Sequence, residues 1–367
     1  MHTPHTPDLL VDIKNHVAHL TLNRPQALNA LTHGMVKAMA ALFTQWATDP
    51  AIHAVVMRGA GEKSFCAGGD IRALRESAIT NSTMHHDFFI DEYRLDYQLH
   101  RFPKPIVCLL DGIVMGGGMG ISQGAQFRIV GPKTKMAMPE TGIGLFPDVG
   151  GSYFLSRSPI GLYLGLTGQV IKAADALYAK LADCFMTSEA ITALLGKLDS
   201  VAWSATPANE IATLVTSLAS APAEAATLAP LQAAIDHHFA PEHSVAAMIQ
   251  SLATEPRTEL HTWSQHTAKV LASRAPALLE VTREQLNRGR SMSLADCFRM
   301  ELGIVYHCFL HGDLMEGIRA VIIDKDNHPQ WQPPTLATLA PTTVSAFFAP
   351  RWNADTHPLQ NLELLFG

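Results

Sequence analysis

Charge is scarce in this chain. Asp, Glu, Lys and Arg make up only 16% of its 367 residues, and the formal net charge is −6. No long run of one sign occurs, so composition offers neither a basic face for nucleic acid nor an acidic disordered tail. Cysteine is sparse too: Cys66, Cys108, Cys184, Cys297 and Cys308 are scattered and odd in number. That pattern reads as reduced thiols, not a disulfide framework. No apolar run reaches the roughly 18 residues of a membrane span. Residues 1–7 lack the apolar core of a secretory signal and the arginine-rich face of a transit peptide. These absences predict a cytoplasmic protein with no nucleic-acid partner and no membrane partner. What is abundant is apolar: 47% of the residues are hydrophobic, enough for a sizeable packed core.

Residues 9–22 alternate in part and predict one half-buried strand, closed by the turn residues Asn23-Arg24-Pro25. Leu31, Met35, Met39, Leu42, Phe43 and Trp46 then recur at three- and four-residue steps, the pattern of an amphipathic helix. Short apolar runs at 54–58, 105–110 and 127–130 lead towards glycine-rich segments. Strands alternating with helices indicate an α/β domain with crossover connections. After about residue 195 the chain reads helical to 312, and Ser293 with Asp296 forms a capping signature before Phe298, Leu302, Val305 and Phe309. The run Ile318 to Ile323 enters an Asp324-Lys325-Asp326 turn, and the tail beyond Pro333 reads as irregular. The chain divides into a core at 1–195, a helical region with a C-terminal extension at 196–333, and a tail at 334–367.

Two glycine-rich turns follow strands: Phe65-Cys66-Ala67-Gly68-Gly69-Asp70-Ile71 and Met115-Gly116-Gly117-Gly118-Met119-Gly120. Helices starting just after such turns would aim free N–H groups and positive dipole ends into one region. Two amides on one oxygen form an oxyanion hole, although such turns also serve plain close packing. Neither spells a dinucleotide fingerprint. A third segment, Met138-Pro139-Glu140 through Phe146-Pro147-Asp148, sets two carboxyls in apolar surroundings that raise their pKa towards neutrality. Asp148 also suits a turn or cap. Cys66 is read as core packing. His307 and His311 lack the glutamate of a zinc-binding H-E-x-x-H, and no metal is expected. The pairs His85-His86 and His237-His238 are read as exposed polar residues.

Taken in order, Leu22-Asn23-Arg24-Pro25, Ala27-Leu28-Asn29-Ala30-Leu31, the Phe65–Ile71 turn, the Gly116–Gly118 turn and Pro139-Glu140 resemble the crotonase (enoyl-CoA hydratase/isomerase) signature. The resemblance implies a crotonase-like α/β spiral of ββα units with a C-terminal helical region. It further implies an acyl-CoA substrate, an oxyanion hole from the amides of Ala67 and Gly117, and coenzyme A lying along Gln26, Ala27, Leu28, Ala67, Gly69, Asp70 and Ile71. No cofactor is implied beyond the coenzyme A of the substrate itself. A homo-oligomer is implied as well, unless the C-terminal extension covers the usual contact surface.

Hydratases of the superfamily place a second glutamate where this chain has Gly120, which argues against ordinary hydration. Phe88-Phe89-Ile90-Asp91-Glu92-Tyr93, the Met138–Gly151 stretch, and Glu316-Gly317-Ile318-Arg319-Ala320 with Asp324-Lys325-Asp326 and Trp331 resemble the 3-hydroxyisobutyryl-CoA hydrolase branch, a type of valine catabolism. That resemblance implies Glu140 as catalytic carboxylate, Asp148 orienting water or leaving group, Glu92 holding the substrate hydroxyl, and Gly117 among the substrate-binding residues. The chain departs at Gly142, where members often carry alanine, and at the Asp91-Glu92 pair. The competing readings are an enoyl-CoA isomerase or hydratase and an idle scaffold on the same fold.

Overall fold

The protein's structure, a computed structural model, describes residues 6–366. It opens as a hairpin of β1 (Leu9–Lys14) and β2 (Val17–Leu22), paired antiparallel. Asn15 and His16 between them take positive φ, 43° and 66°, the backbone of a two-residue turn that follows strand twist. The single half-buried strand expected over 9–22 is therefore two strands. β1 is a largely exposed edge, and β2 is buried throughout because both faces of its sheet are covered.

The remaining strands are β3 (Ala54–Gly59), β4 (Ser64–Cys66), β5 (Ile106–Leu110), β6 (Ile113–Met115), β7 (Phe127–Val130), β8 (Lys135–Ala137) and β9 (Cys184–Phe185). They form two sheets, ordered β1-β2-β3-β5-β7-β9 and β4-β6-β8. All the strand pairings after the first hairpin are parallel. From β3 to β8 the chain lays one strand in the large sheet and the next in the small one, then advances: a spiral of ββα character, as the resemblance implied. Helix α1 (His33–Thr48) starts where the Thr32 side chain accepts from the Met35 amide, and it buries Met35, Met39, Leu42, Phe43 and Trp46. Helices α2 (Ile71–Ile79) and α3 (Met84–His100) follow β4, and α4 (Gly117–Gln123) follows β6. The far face of the large sheet buries Val17, Val56, Val107 and Ile129 against Leu194, Leu198 and Ile211.

The second half is helical, as expected. The Ser293 hydroxyl accepts from the Asp296 amide at the start of the helix Leu294–His311. Two expectations need correction. The tail is not simply irregular: it carries helices Pro341–Phe347 and Leu362–Phe366, and Phe347, Leu359 and Leu362 are buried in the main core. Its apolar residues are placed by the surface they cover and not by a period of their own. Three of the four paired histidines are also less exposed than expected, while His237 is exposed. His85 is buried and His86 stacks on Tyr306 at 3.9 Å. His238 is buried between Ser251 and Glu255, at 2.7 and 2.6 Å. Among the described residues no helix is long and apolar enough to cross a membrane.

Candidate active site

Parallel pairing of β4, β6 and β8 sets their C-terminal ends side by side, with Cys66 opposite Val114 and Met115 opposite Ala137. Each end releases one of the segments singled out above. β4 runs through Ala67-Gly68-Gly69-Asp70 into α2, β6 through Gly116 into α4, and β8 through Met138-Pro139 into the 3-10 turn Glu140–Ile143. The three segments surround a cavity of about 430 Å³.

Gly116 has φ 50° and ψ −122°, a backbone state that glycine reaches without strain. A β-carbon there would stand 3.0 Å from Glu140 Oε1. Gly117 opens α4, so its amide has no carbonyl within the helix. A β-carbon on Gly117 would lie 3.4 Å from the Gly69 nitrogen and 2.5 Å from Glu92 Oε1. The expected partner donor, Ala67, is already spent: its N–H donates to the Leu28 carbonyl at 3.1 Å. The Gly69 amide, two residues on, has no acceptor among the described residues, and Gly69 lines the cavity beside Gly117. Composition could not tell which amide of the turn faces inward. The pairing of Leu31 with Gly69, through Leu31 N to Gly68 O and Asp70 N to Leu31 O, decides it.

Glu92, Glu140 and Asp148 all line the cavity and are at most 5% exposed. Burial, then the charges of Asp148 and Glu140, raises Glu92 well above the usual carboxyl range. Burial and then Asp148 do the same to Glu140. Asp148 is lifted by burial to about 7, held down by the Tyr93 hydroxyl that donates to its Oδ2 at 2.8 Å. Among the described residues Glu92 Oε1 and Glu140 Oε2 have no partner, so both are open to a ligand.

The turn carrying Asp148 is strained and clamped. Val149, a β-branched residue, has φ 52°, which is costly. Glu301 accepts from the amides of Gly150 and Ser152, each at 2.8 Å. Gln285 donates to the Pro147 carbonyl at 2.6 Å. Neither residue was singled out in the sequence. Glu301 does sit between Phe298 and Leu302, on the buried face that the helical spacing marks.

At Gly120 a β-carbon would meet Val149 Cβ at 2.6 Å and Asp96 Oδ2 at 2.7 Å. No side chain fits there, and buried Asp96 fills the space with both oxygens unpartnered among the described residues. Asp96 was also missed, though it lies one helical turn from Glu92 on the same face of α3.

The positions expected to line coenzyme A divide. Ala67, Gly69 and Ile71 line the cavity. Gln26, Ala27 and Leu28 do not; they form the 3-10 turn whose Leu28 carbonyl braces Ala67. Asp70 caps α2 and pairs with Arg24 at 3.0 Å. Cys66 is fully buried, and burial pushes its thiol up to about 12, which removes it as a nucleophile at neutral pH.

Two interleaved, mostly parallel sheets whose glycine turns gather free amides and buried carboxyls around one cavity define a crotonase-type protein. The profile of the enoyl-CoA hydratase/isomerase family matches residues 17–348, and the chain belongs to that family. It is 36% identical over 358 residues to the mitochondrial 3-hydroxyisobutyryl-CoA hydrolase of Gallus gallus, covering 96% of this chain and 92% of the relative. It is 39% identical over 336 residues to the enzyme of the same name from Danio rerio, covering 90% and 86%. A crystal structure named as a carnitinyl-CoA dehydratase from Mycobacterium thermoresistibile superposes with a TM-score of 0.86 at 38% identity, covering 94% of this chain and 97% of that one. Both hydrolases are mitochondrial by name, which overturns the expected cytoplasmic placement. The free thiols behind that expectation mark a reducing environment without telling one such compartment from another. The leader reading fell mostly on residues 1–5, outside the described residues.

Proposed function

We propose that this chain hydrolyses the thioester of 3-hydroxyisobutyryl-CoA or a similar short 3-hydroxyacyl-CoA. What supports the reading is that Gly69 and Gly117, whose amides are free among the described residues, and Glu140 line one cavity. The thioester carbonyl would take both amides, each worth about 3–4 kcal/mol as the oxyanion develops. Glu140 either adds to the carbonyl carbon itself or removes a proton from the attacking water. As the tetrahedral centre collapses, the C–S bond breaks. In the general-base route the proton that Glu140 took from water passes to the departing sulfur; in the direct route coenzyme A leaves as thiolate, and water then cleaves the Glu140 anhydride, freeing the acid and supplying the thiol proton. Asp148 is placed to orient water or leaving group. Glu92, unpartnered beside Gly117, would accept from the substrate hydroxyl and so reject thioesters that lack it.

The filled space at Gly120 weighs against a hydratase or dehydratase reading, since no second glutamate can stand there. An isomerase reading leaves Glu92 without a use. Hydrolysis consumes only water, so turnover should persist in the presence of a chelator. We expect Glu140→Gln to lower thiol release by at least about 10²-fold while the melting curve is kept. Near-normal release from that variant would remove Glu140 from the mechanism, and conjugated product from a 3-enoyl-CoA would favour the isomerase. Self-association as in other crotonases is also proposed, and sedimentation of the full chain checks it.

A further inference from the structure

Arg274 stands just before the helix Pro276–Gly289 and lines the same cavity as the three carboxyls. Its Nη2 donates to the Thr167 carbonyl at 2.7 Å, and its Nε is buried without an acceptor. Among the described residues no acid pairs with it; burial alone acts on its charge, lowering its pKa. Nη1 reaches in over Gly142, where a β-carbon would lie only 2.6 Å away. The missing methyl at 142, a departure from the alanine common in the resembled family, is therefore the space through which the guanidinium enters the wall. A half-buried cation with unspent donors is costly unless something brought into the cavity accepts from it. The three acids are not that partner: among the described residues none of them forms a hydrogen bond or ion pair with Arg274.

We propose that Arg274, admitted by Gly142, recognises an oxyanion carried by the bound thioester: a carboxylate on the acyl group or a phosphate of the nucleotide. The proposal rests on the reading of the cavity as an acyl-CoA site. Binding is measured by calorimetry in Glu140→Gln protein, which keeps the ligands intact, with and without Arg274→Met. The ligands are 3-hydroxyisobutyryl-CoA, the same acyl group on pantetheine without phosphates, and the carboxylated 3-hydroxy-3-methylglutaryl-CoA. An affinity loss of about 10- to 100-fold is expected where the oxyanion is present. Loss on both coenzyme A esters with none on the pantetheine ester assigns a phosphate. Loss confined to the carboxylated ester assigns the acyl end. Gly142→Ala, which crowds Nη1, should reproduce part of the loss and add little to Arg274→Met. Unchanged affinities in a folded variant overturn the proposal. An equal loss on all three ligands overturns it too, because the acceptor would then be a neutral carbonyl of the shared arm. If Glu140→Gln protein binds none of the three, the acyl-CoA reading itself falls, and the inference with it.

Discussion

Glu92, Glu140 and Asp148 are stranded together without a basic partner, and each holds its proton to higher pH than a free carboxyl does. The folded protein therefore binds protons that the unfolded chain has already released above about pH 4. Where the folded state binds more protons, stability falls as pH rises, so these groups weaken the fold progressively up to their raised values. Glu92→Gln removes a charge that burial opposes and keeps the shape. We expect its melting temperature to rise by roughly 2–4 °C at about pH 8 and to stay near that of the parent at about pH 4. A lower melting temperature at the higher pH would mean that the carboxylate has a partner after all. Catalysis runs the other way, because Glu140 must be ionised to act and Asp148 must be ionised to accept from the water it orients. Hydrolysis should climb with pH through about 7, where Asp148 titrates, and Asp148→Asn should flatten that limb as well as slow the reaction.

At the scale of elements, the long pieces were legible and the short ones were not. α1, β3, β5, β7 and the helix Leu294–His311 each carry a periodicity, an apolar run or a cap that survives in the structure. β4, β6 and β8 have three residues apiece, too few to display a period, yet their parallel register is what brings Gly69, Gly117 and Glu140 together. The glycine turns could be read because glycine marks them directly. Which amide faces the ligand could not, since that depends on the pairing of Leu31 with Gly69. The Asp148 turn belongs to the same scale, because a helix distant in sequence holds it. Glu301→Gln puts an NH₂ group against one of the two amides that the carboxylate now accepts from. We expect kcat to fall about 10- to 100-fold, with KM little changed and the pH limb of Asp148 displaced. A lowered melting temperature with an unshifted pH profile would leave Glu301 as a scaffold residue only.

At the scale of the whole molecule, the last thirty or so residues are bound into the part that does the chemistry. Phe347, Leu359 and Leu362 are buried in the main core, and burying one such side chain is worth about 1.5–3 kcal/mol. Three of them together rival the 5–15 kcal/mol by which a typical domain is stable. The tail also reaches the site's own support. Arg94, on α3 two residues after Glu92, donates to the Pro358 carbonyl at 2.8 Å, and Arg299 pairs with Glu363 at 2.5 Å. A chain ending at residue 333 should therefore lose its cooperative melt or aggregate, where a dispensable tail would leave the melt intact. A milder cut separates stability from function. Arg94→Ala removes the strut between α3 and the tail, together with the 3.7 Å ion pair to Asp91 on the same helix, at a half-buried residue outside the cavity. If α3 needs that strut to aim Glu92, the variant should keep hydrolysing 3-hydroxyacyl esters but discriminate less against plain acyl esters, by roughly the factor of ten that one loosened polar contact is worth. Unchanged discrimination across a panel of hydroxylated and plain thioesters would show that α3 is held in place without the tail.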